Sequence, residues 1–286
     1  MERIEHLPEL RARIVAWREA RETIAFVPTM GNLHAGHLTL VAEARGRARR
    51  TVASIFVNPL QFGPQEDLAA YPRTLAQDES LLVGAGCDLL FAPTPDTMYP
   101  RGQDDQTRVL VPGLSDILCG ASRPGHFTGV ATVVCKLFNM VQPHLALFGE
   151  KDYQQLLVIR RMVEDLAVPV EVLGVPTVRE PDGLAMSSRN GYLSAEERGR
   201  APTLYQTLLA AADALRGGRP IPDVELDASR ALEGAGMRPD FVSVRRSEDL
   251  AHPGWEDQEL VILAAAYLGR SRLIDNLRLS RGVQAS

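Results

Sequence analysis

The first half of the chain alternates short apolar runs with longer amphipathic stretches. Four apolar runs of strand length lie at residues 24–27, 51–57, 88–91 and 144–148. Segments of helical character separate them, at residues 36–49, 75–83 and 129–141. Buried strands that alternate with helices indicate right-handed crossovers and a parallel sheet. The pattern predicts an α/β fold, a Rossmann-like, doubly wound parallel sheet.

The hydrophobic pattern changes after Val178. Ser194 and Glu197 have the spacing of a capping box and therefore predict the start of a helix. Three β-rich runs follow, at residues 241–244, 260–265 and 272–275. The last two are too close together for a helix to connect them, which favours antiparallel pairing. We therefore predict a second, smaller α+β C-terminal domain, with domains at 1–177 and 178–286.

Composition and charge narrow the class of protein. The 286 residues are 45% hydrophobic and 23% charged, which is typical of a globular chain of one large or two unequal domains. The net charge of -5 argues against a nucleic-acid partner. The longest apolar run, residues 260–268, is far shorter than the roughly 20 residues of a membrane span. Charged Glu2, Arg3 and Glu5 do not resemble a signal peptide, so we expect a soluble, cytoplasmic protein with no membrane partner.

The cysteines indicate neither a disulfide framework nor a metal site. Cys87, Cys119 and Cys135 are odd in number, and no two of them have the CxxC spacing. We expect no metal ion bound by protein side chains alone.

The segment Pro28–His37, with the sequence PTMGNLHAGH, joins the first predicted strand to the first crossover helix. Ligands of open α/β sheets bind beside such loops, at the carboxyl ends of the strands. The N-terminus of the following helix offers backbone N–H groups to phosphate. His34 and His37 would face the same side of the opening turn, where two imidazoles could donate to phosphate oxygens. Taken alone, the HxxH spacing is also compatible with two loop histidines or one structural histidine.

A second segment, Met186–Asn190, lies just past the predicted domain boundary. Its two hydroxyl groups and one guanidinium are suited to clamp the outer phosphates of a triphosphate. The same tripeptide, SSR, is also common in surface turns. Together with the upstream HxGH, it resembles the signature of the nucleotidylyltransferase superfamily, which includes class I aminoacyl-tRNA synthetases. Those enzymes attack the α-phosphate of ATP and release pyrophosphate.

Three further segments narrow the resemblance: VNPLQF at 57–62, SRPGHF at 122–127 and FGEKDYQQ at 148–155. In wording and in order, the five segments closely resemble the pantothenate synthetases, or pantoate–β-alanine ligases. The resemblance is dense over about residues 22–194. Residues 217–259 contain no motif that we recognise.

The resemblance implies a role for each matching residue. His37 would donate a proton, with His34, Lys151 and Arg189 beside the phosphates as the other catalytic candidates. The full ATP-binding set would be Met30, Gly31, Asn32, Leu33, His34, Ala35, Gly36, His37, Gly149, Glu150, Lys151, Asp152, Val178, Met186, Ser187, Ser188 and Arg189. The substrate-binding set would be Gln61, Gln155, Asn58, Arg123 and His126.

The resemblance also implies the reaction. Pantoate would be activated by ATP as pantoyl adenylate and passed to β-alanine, with release of pyrophosphate and AMP. Mg²⁺ would accompany the triphosphate, the smaller domain would act as a lid, and the protein would be a homodimer. Two alternatives remain open at this point: a related nucleotidylyltransferase that ends at a nucleotide product, and a catalytically silent nucleotide-binding module.

Overall fold

The computed structural model of the chain describes residues 1–64 and 66–281. The chain divides into two compact units. The first consists of Met1–Glu150 and Gln155–Pro176, and the second of Lys151–Gln154 together with the chain from Thr177 onward.

The first unit is built on six strands that all run parallel. The strands are β1 (Glu2–Ile4), β2 (Ile24–Thr29), β3 (Arg50–Ile55), β4 (Leu89–Phe91), β5 (Leu145–Gly149) and β6 (Glu171–Val175). Their order across the sheet is β1-β4-β3-β2-β5-β6. The helices are α1 (Leu7–Glu19), α2 (Ala35–Arg47), α3 (Leu75–Gly84), α4 (Pro95–Met98), α5 (Cys119–Ser122), α6 (His126–Val141) and α7 (Tyr153–Asp165), of which the first two residues of α7 belong to the second unit.

Helices cover both faces of this sheet, and β2 shows why. Ala25 and Val27 pack in one apolar cluster with Val41 of α2 and Leu82 of α3. Successive strand residues point to opposite faces, and Phe26 meets the ring of Phe138 in α6, with ring centroids 6.4 Å apart. A strand buried on both faces has a continuous apolar sequence, as residues 24–27 do. The predicted doubly wound parallel sheet is confirmed.

The two strands at the edges of the sheet, β1 and β6, were absent from the sequence prediction. β1 has three residues, of which only Ile4 is buried, and β6 has only Val175 buried. Edge strands bury less side-chain surface than central ones. Their hydrophobic signal is correspondingly weak, and their place in the sheet comes from pairing with β4 and β5.

The second unit contains a three-stranded antiparallel sheet in the order β7-β8-β9. Its strands are β7 (Arg238–Arg246), β8 (Glu259–Leu268) and β9 (Ser271–Ser280), and its further helices are α8 (Ala195–Arg200), α9 (Thr203–Arg216) and α10 (Ile221–Gly234). Leu204, Leu208 and Leu232 of the helices form one buried core with Ile262 and Ala264 of β8. The predicted smaller α+β domain is confirmed. Helix α10 and strand β7 lie within residues 217–259, the region that contained no recognisable motif.

Within residues 1–64 and 66–281, no helix combines the length and the apolar character that crossing a membrane would require.

Candidate active site

The loop after β2 lies where the strand order reverses. From β2 the sheet continues through β3 and β4 on one side, and through β5 and β6 on the other. In open α/β sheets this switch point is where ligands bind. The loop turns through Gly31 and Asn32, which both have positive φ, at 80° and 51°. Helix α2 begins directly afterwards at Ala35.

A buried carboxylate holds this loop by its backbone. Asp78 accepts a hydrogen bond from the Asn32 N–H at 2.9 Å on Oδ2 and from the Leu33 N–H at 2.8 Å on Oδ1. The Thr74 hydroxyl donates to Oδ2 at 3.1 Å. A Cβ at position 31 would lie 3.0 Å from Oδ2, so glycine allows this close approach. Sequence reasoning considered Asp78 only as an outer-shell contact of Mg²⁺ and did not find this anchoring role, because Asp78 lies 46 residues from Asn32.

The two histidines of the loop lie side by side, with ring centroids 4.1 Å apart. His34 Nδ1 accepts from the Gly36 N–H at 3.2 Å, and His37 Nδ1 accepts from the His34 N–H at 3.3 Å. Because a backbone N–H can only donate, both Nδ1 atoms lack a proton in this arrangement. Each neutral ring therefore carries its proton on Nε2. The first turn of α2 thus carries two imidazole Nε2–H groups at the positive end of the helix dipole.

A second cluster follows β3. Asn58 caps the short 3-10 helix Pro59–Gln61, Gln61 is the last residue of that helix, and both residues are buried. Asn58 Nδ2 donates to Gln61 Oε1 at 3.0 Å and to the Gly129 carbonyl at 3.1 Å. Helix α6 comes this close because residue 129 is glycine: a Cβ there would lie 2.2 Å from the Leu60 carbonyl oxygen. Tyr99, which no motif indicated, donates its hydroxyl proton to Asn58 Oδ1 at 2.7 Å.

Arg123 and His126 contact the backbone of this cluster. Arg123 donates to both carboxylate oxygens of Glu66 at 2.6 Å and to the Gln61 carbonyl at 3.2 Å. His126 Nδ1 lies 2.8 Å from the same carbonyl, which can only accept, so Nδ1 carries the proton. Its Nε2 then accepts from Arg123 Nη1 at 3.1 Å. Burial acts to raise the pKa of Glu66, but the hydrogen bonds and charge of Arg123, with smaller contributions from the Gly63 backbone and His126, outweigh it, and the pKa lies below its ordinary value.

The remaining predicted residues of the first unit lie around the end of β5. Gly149 ends that strand, Glu150 follows it, and Gln155 lies in the first turn of α7. All three are half-buried.

In the second unit, Lys151 and Asp152 form a loose ion pair, with Nζ 3.7 Å from Oδ2, longer than a hydrogen bond. The Lys151 carbonyl accepts from Asn276 Nδ2 at 2.9 Å. This bond holds the backbone of Lys151 against β9 and does not involve the lysine Nζ.

The Ser-Ser-Arg segment is shaped by hydrogen bonds to its own backbone. Ser187 Oγ accepts from the Arg189 N–H at 3.2 Å and caps a short 3-10 helix, Ser188–Tyr192. The Met186 N–H donates to the Val178 carbonyl at 3.0 Å. Val178 and Met186 flank the hairpin that is closed by the Arg179–Ala185 bridge.

One arginine fixes this hairpin within the second unit. Arg179 donates to the two carboxylate oxygens of Asp275 at 2.6 and 2.9 Å. Its guanidinium also lies 3.5 Å from the centroid of the Tyr205 ring. Because the Asp275 side chain is only 2% exposed, this is a buried, bidentate ion pair. Sequence reasoning did not identify it.

The chain matches a known protein family over nearly its whole length. A family model described as pantoate–β-alanine ligase matches residues 2–278. The chain belongs to the pantoate–β-alanine ligase family.

Relatives of the ligase match over nearly their whole length. A pantothenate synthetase of Shewanella amazonensis is 62% identical over 275 residues, 96% of this chain and 98% of the relative. The crystal structure of a pantothenate synthetase from Thermus thermophilus has a TM-score of 0.91 at 51% identity, covering 97% of this chain and 99% of that one. The predicted family is confirmed, and the chain is an enzyme, a pantoate–β-alanine ligase.

A third relative was solved with ligands. The crystal structure of a pantoate–β-alanine ligase from Francisella tularensis, described as complexed with β-γ ATP and β-alanine, has a TM-score of 0.81 at 32% identity. It covers 97% of this chain and 97% of that one.

The predicted residues of the ligase gather at a few places in each unit. The first unit holds the whole HxGH loop at the switch point, Asn58 with Gln61 after β3, and the end of β5. The second unit holds Lys151 with Asp152, and the segment from Val178 to Arg189. Among the residues that the structure describes, no group of three or more histidines, cysteines, aspartates or glutamates could hold a metal ion.

Proposed function

We propose that the ligase joins pantoate to β-alanine in two steps. The pantoate carboxylate attacks the α-phosphorus of ATP, forming pantoyl adenylate as the bond to pyrophosphate breaks. The deprotonated amine of β-alanine then attacks the acyl carbon, the amide bond forms, and AMP leaves with the electrons of the broken C–O bond. The nitrogen loses its remaining extra proton to solvent or to a basic group.

The observation that carries this proposal is the paired histidines at the start of α2. Their two Nε2–H donors, at a helix N-terminus and a sheet switch point, suit the charge that builds on phosphate oxygens during attack. The ligands of the Francisella tularensis relative support ATP and β-alanine as substrates of this ligase as well.

We assign the roles as follows. His37 and His34 donate to the phosphates, and Lys151 and Arg189 neutralise their charge. The other members of the ATP set are Met30, Gly31, Asn32, Leu33, Ala35, Gly36, Gly149, Glu150, Asp152, Val178, Met186, Ser187 and Ser188. Mg²⁺ would be held largely by phosphate oxygens and water, which needs no cluster of protein carboxylates.

Gln61 and Gln155 hold pantoate, and Asn58 lines its pocket. For Arg123 and His126 we propose an indirect part in substrate binding, since both donate to or contact the Gln61 carbonyl. The division into an ATP- and pantoate-binding domain at 1–177 and a smaller lid at 178–286, the homodimer and a cytoplasmic location belong to the same proposal.

The test is to measure pyrophosphate release from ATP and pantoate, with and without β-alanine. We expect His37→Ala to slow pyrophosphate release by about 10² to 10⁴-fold, the usual contribution of a positioned proton donor. Lys151→Ala should also lose pyrophosphate release. His6→Ala is the control, because His6 is exposed and makes no capping hydrogen bond.

Three results would contradict the proposal. Release of pyrophosphate at the parent rate by His37→Ala would remove that residue from the mechanism. Transfer of the adenylyl group to a nucleotide would favour a nucleotidylyltransferase, and ATP binding without turnover would favour a silent module.

A further inference from the structure

Tyr99 lies outside every motif, yet its hydroxyl group ends in the Asn58–Gln61 cluster. The residue is 3% exposed, and its hydroxyl lies 2.7 Å from Asn58 Oδ1. Burial raises the pKa of Tyr99, and the charge of Arg108 only partly opposes this. The hydroxyl therefore stays protonated and acts as a hydrogen-bond donor.

The orientation of the Asn58 carboxamide is determined by two backbone partners, one of which can only donate a hydrogen bond and the other only accept one. Its Oδ1 accepts from the Leu60 N–H at 3.3 Å, and its Nδ2 donates to the Gly129 carbonyl at 3.1 Å. A backbone N–H only donates and a carbonyl only accepts, so turning the carboxamide over would break both bonds. The short bond from Tyr99 stabilises the same orientation.

Asn58 in turn determines which atom of the Gln61 carboxamide faces it and which atom faces away. Asn58 Nδ2 is a donor, so the Gln61 atom 3.0 Å away is the acceptor Oε1. Gln61 Nε2 lies at the other end and donates to Met30 Sδ at 3.2 Å. A thioether is a weak acceptor, and a carboxylate or hydroxyl oxygen of a ligand would be a better one.

We propose that Tyr99 is a positioning residue for the acid substrate. Through Asn58 it holds Gln61 so that Nε2, a donor, is presented to an oxygen of pantoate. In this role Tyr99 acts through Asn58 and does not itself contact the substrate. The inference rests on the proposed assignment of Gln61 to pantoate.

The first test is Tyr99→Phe, which removes the hydroxyl and keeps the ring. We expect the KM for pantoate to rise by roughly tenfold, the effect of one buried hydrogen bond. kcat and the KM for ATP should stay within about twofold of the parent, because the HxGH loop is held separately by Asp78. Thr132→Val is the matched control. It removes another buried hydroxyl of the first unit, which accepts from the Val109 N–H and belongs to no bond of this cluster.

A double-mutant cycle separates positioning from general stability. In a Gln61→Ala background, Tyr99→Phe should leave the KM for pantoate unchanged, because the group through which it acts is absent. If Tyr99→Phe raises the KM by the same factor in both backgrounds, the positioning role is wrong. If Gln61→Ala itself leaves the KM for pantoate unchanged, the pantoate assignment fails and the inference fails with it. If Gln61→Ala raises it and Tyr99→Phe does not, only the inference is wrong.

Asn58→Asp directly tests the donor–acceptor polarity of Gln61, that is, which end of its carboxamide faces the substrate. An aspartate offers only acceptors, so Gln61 would turn Nε2 toward it and present Oε1 to the substrate. We expect a larger rise in the KM for pantoate than in Tyr99→Phe, with the KM for ATP again little changed. A KM for pantoate equal to that of the parent would overturn the proposed polarity.

Discussion

The two units of this ligase secure their polar side chains by different means. In the first unit, the HxGH loop is held by Asp78 through backbone amides, and Gln61 is held by the uncharged groups of Asn58 and Tyr99. In the second unit, Arg179 and Asp275 form a buried ion pair beside the hairpin that precedes the Ser-Ser-Arg segment.

The difference lies in what each kind of contact can specify. Amide and hydroxyl networks fix which atom of a side chain is donor and which is acceptor, at a modest energy per bond. A buried ion pair is costly to break, because removing one partner leaves the other charged and desolvated. We therefore expect substitutions in the second unit's pair to act on stability, and those in the amide and hydroxyl network of Asn58 and Tyr99 to act mainly on substrate affinity.

The largest expected effect is on the stability of the second unit. Arg179→Met should lower the free energy of unfolding by about 3–5 kcal/mol, because Asp275 is left as an uncompensated buried charge. Urea unfolding followed by circular dichroism measures this. In the double variant Arg179→Met/Asp275→Leu, much of the loss should be recovered.

Arg198→Met provides the comparison for this prediction. Arg198 pairs with Asp182 in the same unit, but both side chains are more than a third exposed. Such pairs contribute little, so we expect unfolding close to that of the parent. Equal destabilisation by Arg179→Met and Arg198→Met would show that burial is not what gives the Arg179 pair its importance.

The next effect concerns the loop that carries the histidines. Asp78→Asn replaces one acceptor oxygen by an NH₂ group that faces a backbone N–H. We expect a loss of about 1–3 kcal/mol in stability and a higher KM for ATP. Hydrogen exchange at Asn32 and Leu33 should become faster, while β2 stays protected.

Glu79→Gln is the matched control, since it makes the same exchange at the next position of α3. Glu79 pairs with Arg3 and makes none of the loop contacts. If both variants show the parent's KM for ATP and the same amide exchange at the loop, Asp78 does not organise it.

The smallest effect is a pH dependence of the ion pair between Arg123 and Glu66, which contacts the Gln61 cluster. Burial is the largest single influence on the pKa of Glu66 and raises it, but the hydrogen bonds and charge of Arg123, together with the Gly63 backbone and the charge of His126, outweigh burial and lower the pKa from its ordinary 4.5. A lowered folded-state pKa means that the carboxylate stabilises the fold above pH 4.5, and that this contribution is lost as the pH falls through the lower folded value.

We expect Glu66→Gln to flatten the fall in unfolding free energy below about pH 4.5, measured by urea unfolding at a series of pH values. Glu19→Gln, at an exposed position, should keep the dependence of the parent protein. An unchanged pH profile in Glu66→Gln would show that the pair with Arg123 contributes nothing to stability.

Much of the fold could be predicted from the sequence, because the signals that predict it lie within short stretches of the chain. The four strands buried in the middle of the parallel sheet have apolar runs, and the helices between them have their own periodicity. The last two strands of the second unit are close enough in sequence to require antiparallel pairing. The HxGH and Ser-Ser-Arg segments were identified by short, contiguous motifs.

Only the tertiary structure decided what holds the candidate site in place. Asp78 is 46 residues from Asn32, Tyr99 is 41 residues from Asn58, and Arg179 is 96 residues from Asp275. The edge strands β1 and β6 likewise depend on their neighbours in the sheet. A hydrogen bond between distant residues leaves no periodicity along the chain, because each partner is a single polar position. Which polar positions meet, and with which polarity, follows only once the sheet and helices have brought them together.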